Sequence, residues 1–366
     1  MKVLSVVGAR PQFIKLAVLS HEIRKHFDEV IVHTGQHYDY EMSRIFFKNM
    51  EIPEPDYNLG VGSAESNAQI KKMIDGLGKI FIKEKPDLVV VFGDTNSTLA
   101  GAKAALKFGI KLAHVESGMR SFDKTMPEEV NRTETDKISD IFFCSTSISV
   151  QNLKREGIIK NVFKVGDVMV DSIKQNIGIA EKNSKILKQL RLKKKSYLLA
   201  TIHRAGNTDV KKNLCSIMDA LFSVNEKIVF PVHPRTRKYL KLYNLDKKLK
   251  NSNIIETKPL SYSDMLILEK NAKKILTDSG GMQKEAYFFK VPCITLRDKT
   301  EWVETVNDGW NMLTGANKPK ILDAIKSFNP NGKQREGYGN GNASKNIVNA
   351  LKNYLAASRN CSAIMS

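Results

Sequence analysis

Acidic residues are scarce in this 366-residue chain: 39 Asp and Glu stand against 58 Lys and Arg, giving a formal charge of +19 and a pI near 9.6. Such an excess invites a nucleic-acid reading, but its distribution argues against one. No aromatic-interleaved basic platform and no zinc module is present. The densest run, Lys182 to Lys195, holds seven Lys/Arg and no acid, yet Ile186, Leu187, Leu190 and Leu192 form one helical stripe within it. It therefore reads as a solvated surface helix ahead of a strand at Tyr197–Thr201. What remains for the positive field is steering of anionic substrates. Cysteine is also sparse: Cys144, Cys215, Cys293 and Cys361 are scattered without paired metal spacing, and Cys144 and Cys293 lie in apolar runs as buried thiols. No metal is expected, and a reducing cytoplasm is the natural compartment. No apolar stretch reaches the ~18 residues a membrane helix needs, and the N-terminus runs directly into a strand, so neither a membrane span nor a signal peptide is expected. No internal repeat is visible.

What is present is a regular alternation of strand and helix. Lys2–Val7, Glu29–Thr34, Leu88–Phe92, Lys111–Val115 and Ile141–Ser145 are short, branched, apolar runs typical of buried parallel strands. Amphipathic segments such as Pro11–His26, Ala64–Glu84 and Thr98–Phe108 lie between them. The series ends at Phe163–Asp167 and a helix follows from about Val170. It restarts with Tyr197–Ile202, Lys227–Val232, Ile254–Glu256, Lys274–Thr277 and Pro292–Leu296. The length suits two domains rather than one core. The expected fold is α/β: two Rossmann-like doubly wound domains facing across a cleft, 1–168 and 169–355. The stretch Lys333–Ala343 reads as a loop, followed by a closing helix Ser344–Leu355 that can pack back on the first domain. The tail Ala356–Ser366 is expected to be disordered.

Chemistry concentrates at strand ends. Leu88–Phe92 runs into Gly93-Asp94-Thr95, placing a carboxylate at the C-terminal end of a buried strand, where open parallel sheets hold their ligands. Glu116 and Glu128 sit in loop-like context, each followed within a few residues by an arginine, Arg120 and Arg132. Three acids converging there would push their pKa values apart and yield acid and base in one site; the bland alternative is salt bridges to Arg120 or Arg132. Gly8-Ala9-Arg10-Pro11 opens the first helix with one glycine only, so the dinucleotide fingerprint is absent, while Arg10 and Lys15 suit an anionic leaving group. In the second half, Thr277-Asp278-Ser279-Gly280-Gly281 passes from strand straight into helix. There glycines let backbone N–H groups approach a phosphate, and Glu285, one turn on, is placed to accept from a ribose hydroxyl. His203, at the tip of the Tyr197–Ile202 strand, can bind a diphosphate or shuttle a proton.

Together these residues resemble the non-hydrolysing UDP-N-acetylglucosamine 2-epimerases. The matching runs are Gly8–Lys15, His33–His37, Gly93–Thr95, His114–Arg120, Pro127–Arg132, Thr201–Arg204 and Thr277–Ala286, spread in order over residues 1 to 355. The resemblance implies a glycosyltransferase-B arrangement, a homodimer, a UDP-sugar as substrate, and no metal or nicotinamide cofactor. The implied reaction interconverts UDP-GlcNAc and UDP-ManNAc: UDP is eliminated across C1–C2 to give 2-acetamidoglucal, then adds back as a proton returns to the opposite face of C2. By the same resemblance Asp94 and Glu128 act at C2 and Glu116 contacts the sugar or shares the proton network. Arg10 and His203 hold the diphosphate with Ser279, Gly280 and Gly281; Glu285 binds ribose, and Lys15, Arg120 and Arg132 lie at the substrate.

Two departures matter. After Leu296–Glu301 the common bacterial pattern has arginine and proline, whereas this chain has Trp302-Val303-Glu304. A tryptophan does not replace a guanidinium on phosphate, and the variant also occurs among relatives acting on modified sugars such as diacetamido-uronic acid nucleotides. Second, some relatives bind an activating UDP-GlcNAc near the Gln36-His37 loop, with a further glutamine where this chain has Asp39. An acid beside a diphosphate repels it, so weak activator dependence is expected, and a strongly sigmoidal rate curve in UDP-GlcNAc would contradict that. The rival readings are a glycosyltransferase of the same architecture and a nucleotide-sugar binder without catalysis.

Overall fold

The computed structural model describes residues 1–36, 47, 52–335 and 338–364. They form two compact units: Met1–Lys174 with Glu336–Ser366, and the contiguous Gln175–Arg335. The division falls after Lys174, within the helix Val168–Asn183.

The first unit is built on a parallel sheet in the order β3 (Tyr57–Asn58), β2 (Asp28–His33), β1 (Lys2–Val7), β4 (Leu88–Phe92), β5 (Lys111–Val115), β6 (Ile141–Cys144) and β7 (Val162–Lys164). β4 is a continuous apolar run and β1 one interrupted only by the buried Ser5, because both faces are covered: Val3, Leu4, Val6 and all of Leu88–Phe92 are fully buried. The helix Asn96–Lys107 lies close against them. A Cβ on its Gly101 would stand 2.8 Å from Val91 Cγ1 and 3.3 Å from Val6. The order reverses between β1 and β4, so their C-terminal loops diverge and leave a crevice at that edge.

The second unit repeats the plan with β10 (Ile254–Thr257), β9 (Lys227–Pro231), β8 (Tyr197–Thr201), β11 (Lys274–Thr277), β12 (Cys293–Thr295) and β13 (Asn311–Leu313), all parallel. Leu198, Ala200, Ile228, Phe230, Leu276 and Ile294 make its core. Here the reversal falls between β8 and β11. Two Rossmann-like α/β units are therefore present.

Two details differ from expectation. The lysine-rich stripe is not one helix. Ser184 breaks it by accepting the Ile186 N–H at 3.3 Å and donating to Asp264 at 2.6 Å, which leaves a single turn, Ile186–Gln189, after the helix Val168–Asn183. The closing helix runs Ala343–Ile364, beyond the expected Leu355, through the strong helix formers Ala356 and Ala357. That helix belongs to the first unit, lies against the helix Arg10–Ile23, and is capped by Asp171. The Asp171 carboxylate accepts from Ala343 N at 3.1 Å, Ser344 N at 2.8 Å and Ser344 Oγ at 2.7 Å. No helix among the described residues is long and apolar enough to cross a membrane.

Candidate active site

In the first unit the residues singled out from sequence gather where β1, β4 and β5 end. Gly8 follows β1, and a side chain there would collide with Thr34 Oγ1 at 2.0 Å and Ser97 Oγ at 2.2 Å, so only glycine fits. Gln12 fixes the turn it opens. Its Oε1 accepts the N–H groups of Gly8 (2.8 Å) and Ala9 (3.0 Å), and its Nε2 donates to the Phe92 carbonyl at the end of β4 (3.0 Å) and to Thr98 Oγ1 (3.1 Å). Arg10 begins the helix Arg10–Ile23, and Lys15, one turn further, is buried. The Lys15 ammonium forms an ion pair with Glu116, the residue directly after β5; both side chains are about nine-tenths enclosed, at 9% and 10% exposure. The pair lies against Gly93, where a Cβ would stand 3.1 Å from Lys15 Nζ and 3.3 Å from Glu116 Oε2. Glu116 holds a left-handed φ of 72°, uncommon for a non-glycine residue and found at functional turns.

Asp94 follows Gly93 and is partly exposed, with its carboxylate paired to the buried Arg132 guanidinium. Arg132 also donates to Glu129 Oε2 at 3.1 Å, and Glu129 in turn accepts from Ser121 N (2.8 Å), Ser121 Oγ (2.9 Å) and Phe122 N (3.0 Å). Asn131 Nδ2 adds a bond to the Asp94 carbonyl at 3.0 Å. Glu128 is not in a loop. Pro127 occupies the first position of the helix Pro127–Ile138, so Glu128 stands half-buried in its first turn, where a helix N-terminus favours a carboxylate. Arg120 is placed differently from expectation as well. Its side chain is 1% exposed, paired with Asp136 at 2.7 Å and clamped by both oxygens of Glu156 at 2.7 Å each. That guanidinium is committed to protein carboxylates.

In the second unit the loops after β8, β9 and β11 share one sheet edge. Asp278, fully buried, follows β11 and accepts from the backbone N–H of His203 (3.0 and 3.1 Å), of Arg204 (3.0 Å) and from Asn207 Nδ2 (3.0 Å); His203 Nδ1 lies 3.4 Å from it. The His203 ring packs on that of His233, which follows β9, with centroids 5.5 Å apart. Ser279 is the N-cap of the helix Gly280–Phe288, its hydroxyl accepting from Met282 N. Gly280 is packed tight, because a Cβ would stand 2.7 Å from Glu301 Oε1 and 2.9 Å from Trp302 Nε1. Beside Gly281 the space is open, with only Ser279 Oγ within 4 Å, at 3.9 Å. Glu285 is buried in the same helix. Trp302 is buried too; its ring carries the Lys284 ammonium at 3.9 Å from the centroid, and Arg297 pairs with Glu301 at 2.9 Å.

Sequence reasoning passed over Gln12, Asn131, Asp136, His233 and Asp278. Asp278 carried a usable signal, since like Asp94 it immediately follows a buried strand. Gln36 is described and accepts from Ser97 N at 2.9 Å and Ser97 Oγ at 2.7 Å, whereas His37 and Asp39 lie outside the described residues.

Known proteins place this geometry in context. The family model described as UDP-N-acetylglucosamine 2-epimerase matches residues 21–352. A UDP-N-acetylglucosamine 2-epimerase homolog from Methanococcus maripaludis is 58% identical over 356 residues, covering 96% of this chain and 100% of its own. The UDP-2,3-diacetamido-2,3-dideoxy-D-glucuronate 2-epimerase of Pseudomonas aeruginosa is 42% identical, covering 96% of this chain and 99% of its own. The crystal structure of Methanocaldococcus jannaschii UDP-GlcNAc 2-epimerase in complex with UDP-GlcNAc and UDP matches with a TM-score of 0.92 at 46% identity, over 96% of this chain and 99% of that one. With motifs, fold and relatives in agreement along nearly its whole length, the chain belongs to the UDP-N-acetylglucosamine 2-epimerase family.

Proposed function

We propose that the chain epimerises UDP-N-acetylglucosamine at C2, by eliminating UDP to 2-acetamidoglucal and adding it back. The observation that carries this reading is the gathering of Asp94, Glu116 and Lys15 at the topological switch of the first sheet, in a family with a member solved in complex with UDP-GlcNAc and UDP. The C2 proton is weakly acidic, so expulsion of the diphosphate makes its removal feasible. Epimerisation also needs a proton donor or acceptor on each face of C2. Asp94 and Glu128 take these roles, and Glu116, paired with Lys15, contacts the sugar and shares the proton network. In the second unit the helix start at Ser279-Gly280-Gly281, with His203, holds the charge that develops on UDP. Glu285 accepts from ribose. Arg132 acts through Asp94, and Arg120 through Asp136, rather than on substrate directly. The working form is a homodimer in the cytoplasm.

A second reading has support of its own. The Pseudomonas aeruginosa relative is named for a diacetamido-uronate nucleotide, and Trp302 stands where many bacterial sequences carry arginine. Proton NMR of UDP-GlcNAc with enzyme in D2O separates the cases. Deuterium at C2 with a manno product is expected. An inert UDP-GlcNAc beside a reacting UDP-diacetamido-uronate would transfer the activity to that sugar, and inertness of both would remove the proposal.

The two glycines give a local check on the nucleotide site. Gly281→Ala places its methyl in open space, so stability should hold or rise by about 0.5–1 kcal/mol, while UDP affinity falls about tenfold as the methyl meets the diphosphate. Gly280→Ala instead pushes on Glu301 and Trp302 and should destabilise by roughly 1–3 kcal/mol. Calorimetric titration with UDP and urea unfolding read the two effects. Unchanged UDP affinity in Gly281→Ala would move the nucleotide elsewhere.

A further inference from the structure

His114 lies in β5 with no exposed surface, and both its ring nitrogens meet acceptors. Nδ1 stands 2.7 Å from Asp136 Oδ1, and Nε2 stands 2.7 Å from the carbonyl oxygen of Gly93. A carbonyl oxygen only accepts, so Nε2 must carry a proton. The state of Nδ1 then depends on Asp136, which is itself fully buried. Asp136 Oδ2 already receives Arg120 Nη2 at 2.7 Å and Gly118 N–H at 3.1 Å. Burial alone would push this carboxyl up, but the Arg120 guanidinium and the Gly118 N–H on its second oxygen favour the ionised form, and the carboxyl lies below the usual carboxylate range. Facing an ionised Asp136, Nδ1 is a donor as well.

We propose that His114 is an imidazolium in the resting enzyme and serves, with Asp136, as the positioning residue for Asp94 and Glu116. This rests on the roles given above to Asp94 at C2 and to Glu116 at the sugar and in the proton network. Gly93 is the link. Its left-handed φ of 64° turns its carbonyl to the His114 ring, while its Cα faces Lys15 and Glu116. The peptide whose oxygen takes that bond is the one that carries Asp94, so a charge-assisted bond there fixes and polarises the backbone of the acid. Glu116 is two residues beyond His114 in the same strand exit, its N–H bonded to the Phe143 carbonyl at 3.0 Å.

The charges around the ring alternate. Asp136 comes from the helix Pro127–Ile138, Arg120 from the loop after β5, and Glu156 ends the helix Ser147–Arg155. Lys15, from the helix Arg10–Ile23, and Glu116 lie on the far side of Gly93. The neighbouring Cys144 thiol on β6 is pushed up by burial to about 12 and stays neutral. A neutral imidazole would donate at one nitrogen only and would lose either Gly93 or Asp136.

The decisive measurement needs no substrate: long-range ¹⁵N–¹H correlation on the full chain carrying ¹⁵N-histidine, with His114 assigned by its absence in His114→Gln. At about pH 7.5, where an ordinary imidazole is mostly neutral, both His114 nitrogens should bear protons. One unprotonated nitrogen overturns the proposal. Asp136→Asn removes the counter-charge at nearly constant volume, and its ring should show one bare nitrogen; an unchanged ring overturns the pairing with Asp136. For the positioning role, kcat of His114→Gln should fall tenfold or more with KM changing less than about threefold. The acid limb of its kcat/KM profile should move to higher pH, because a carboxylate that loses a nearby cation ionises less readily. An unmoved limb in either folded variant overturns that role. Failure of the parent to turn over a nucleotide sugar would sink the proposed reaction while leaving the ring measurement to stand or fall by itself.

Discussion

Asp94→Asn is expected to slow C2 exchange by about a hundred- to ten-thousand-fold, the range for removing a positioned acid or base, with UDP still bound. The fold should survive the change. Arg132 donates to one Asp94 oxygen, and an amide keeps an acceptor there. Only the ability to gain and lose a proton disappears. Glu128→Gln should behave alike, since its site in the first turn of the helix Pro127–Ile138 accepts a neutral polar group at small cost. Exchange is read by deuterium entry at C2, and binding by titration with UDP. Full exchange in either variant would strip that residue of its role, and loss of UDP binding alongside exchange would point to a structural effect instead.

Arg132→Met should cost about 3–5 kcal/mol of stability, the usual result of removing one partner from a buried ionic cluster. The guanidinium is 4% exposed and joins Asp94 to Glu129, whose side chain is equally enclosed. Without it Glu129 keeps only the Ser121 and Phe122 bonds for a full buried charge. Arg132→Lys restores charge but not the two-pronged geometry, and should fall between parent and Met variant. Urea unfolding midpoints give the comparison. A Met variant within about 1 kcal/mol of the parent would show that the cluster contributes little and that Arg132 serves substrate instead.

Much of the fold was legible because its central strands are unbroken branched runs. β4 is apolar throughout because it is buried on both faces, and β1, β5 and β11 follow the same pattern with only a few polar residues, such as the buried Ser5 and His114, inside them. β3 and β13, of two and three residues, join the sheets through a few backbone bonds that leave no periodic trace. The lysine-rich stripe misled because helical spacing survives a break that Ser184 makes with a distant partner, Asp264. In the site, Asp94 is legible as an acid at a strand exit, whereas Glu116, read as loop-like, directly follows β5. Glu128 reads as loop-like from sequence, yet Pro127 before it is an ordinary first residue of a helix. Arg120 was expected at substrate, yet Asp136 and Glu156, distant in sequence, enclose it. Supporting groups such as Gln12, Asn131 and Asp278 act through bonds to backbone tens of residues away, which single-sequence spacing does not encode.

The closing helix has a consequence for how the molecule is made. Gln175–Arg335 is contiguous and can acquire its structure as it leaves the ribosome, in the order that domains generally follow during synthesis. The other unit cannot: Asp171 waits for Ala343 and Ser344, and the helix Arg10–Ile23 for the chain's last twenty-odd residues. The unit that comes first along this sequence is thus the one completed last, and a stop codon falling between residues 336 and 343 should yield a folded second unit attached to an immature first.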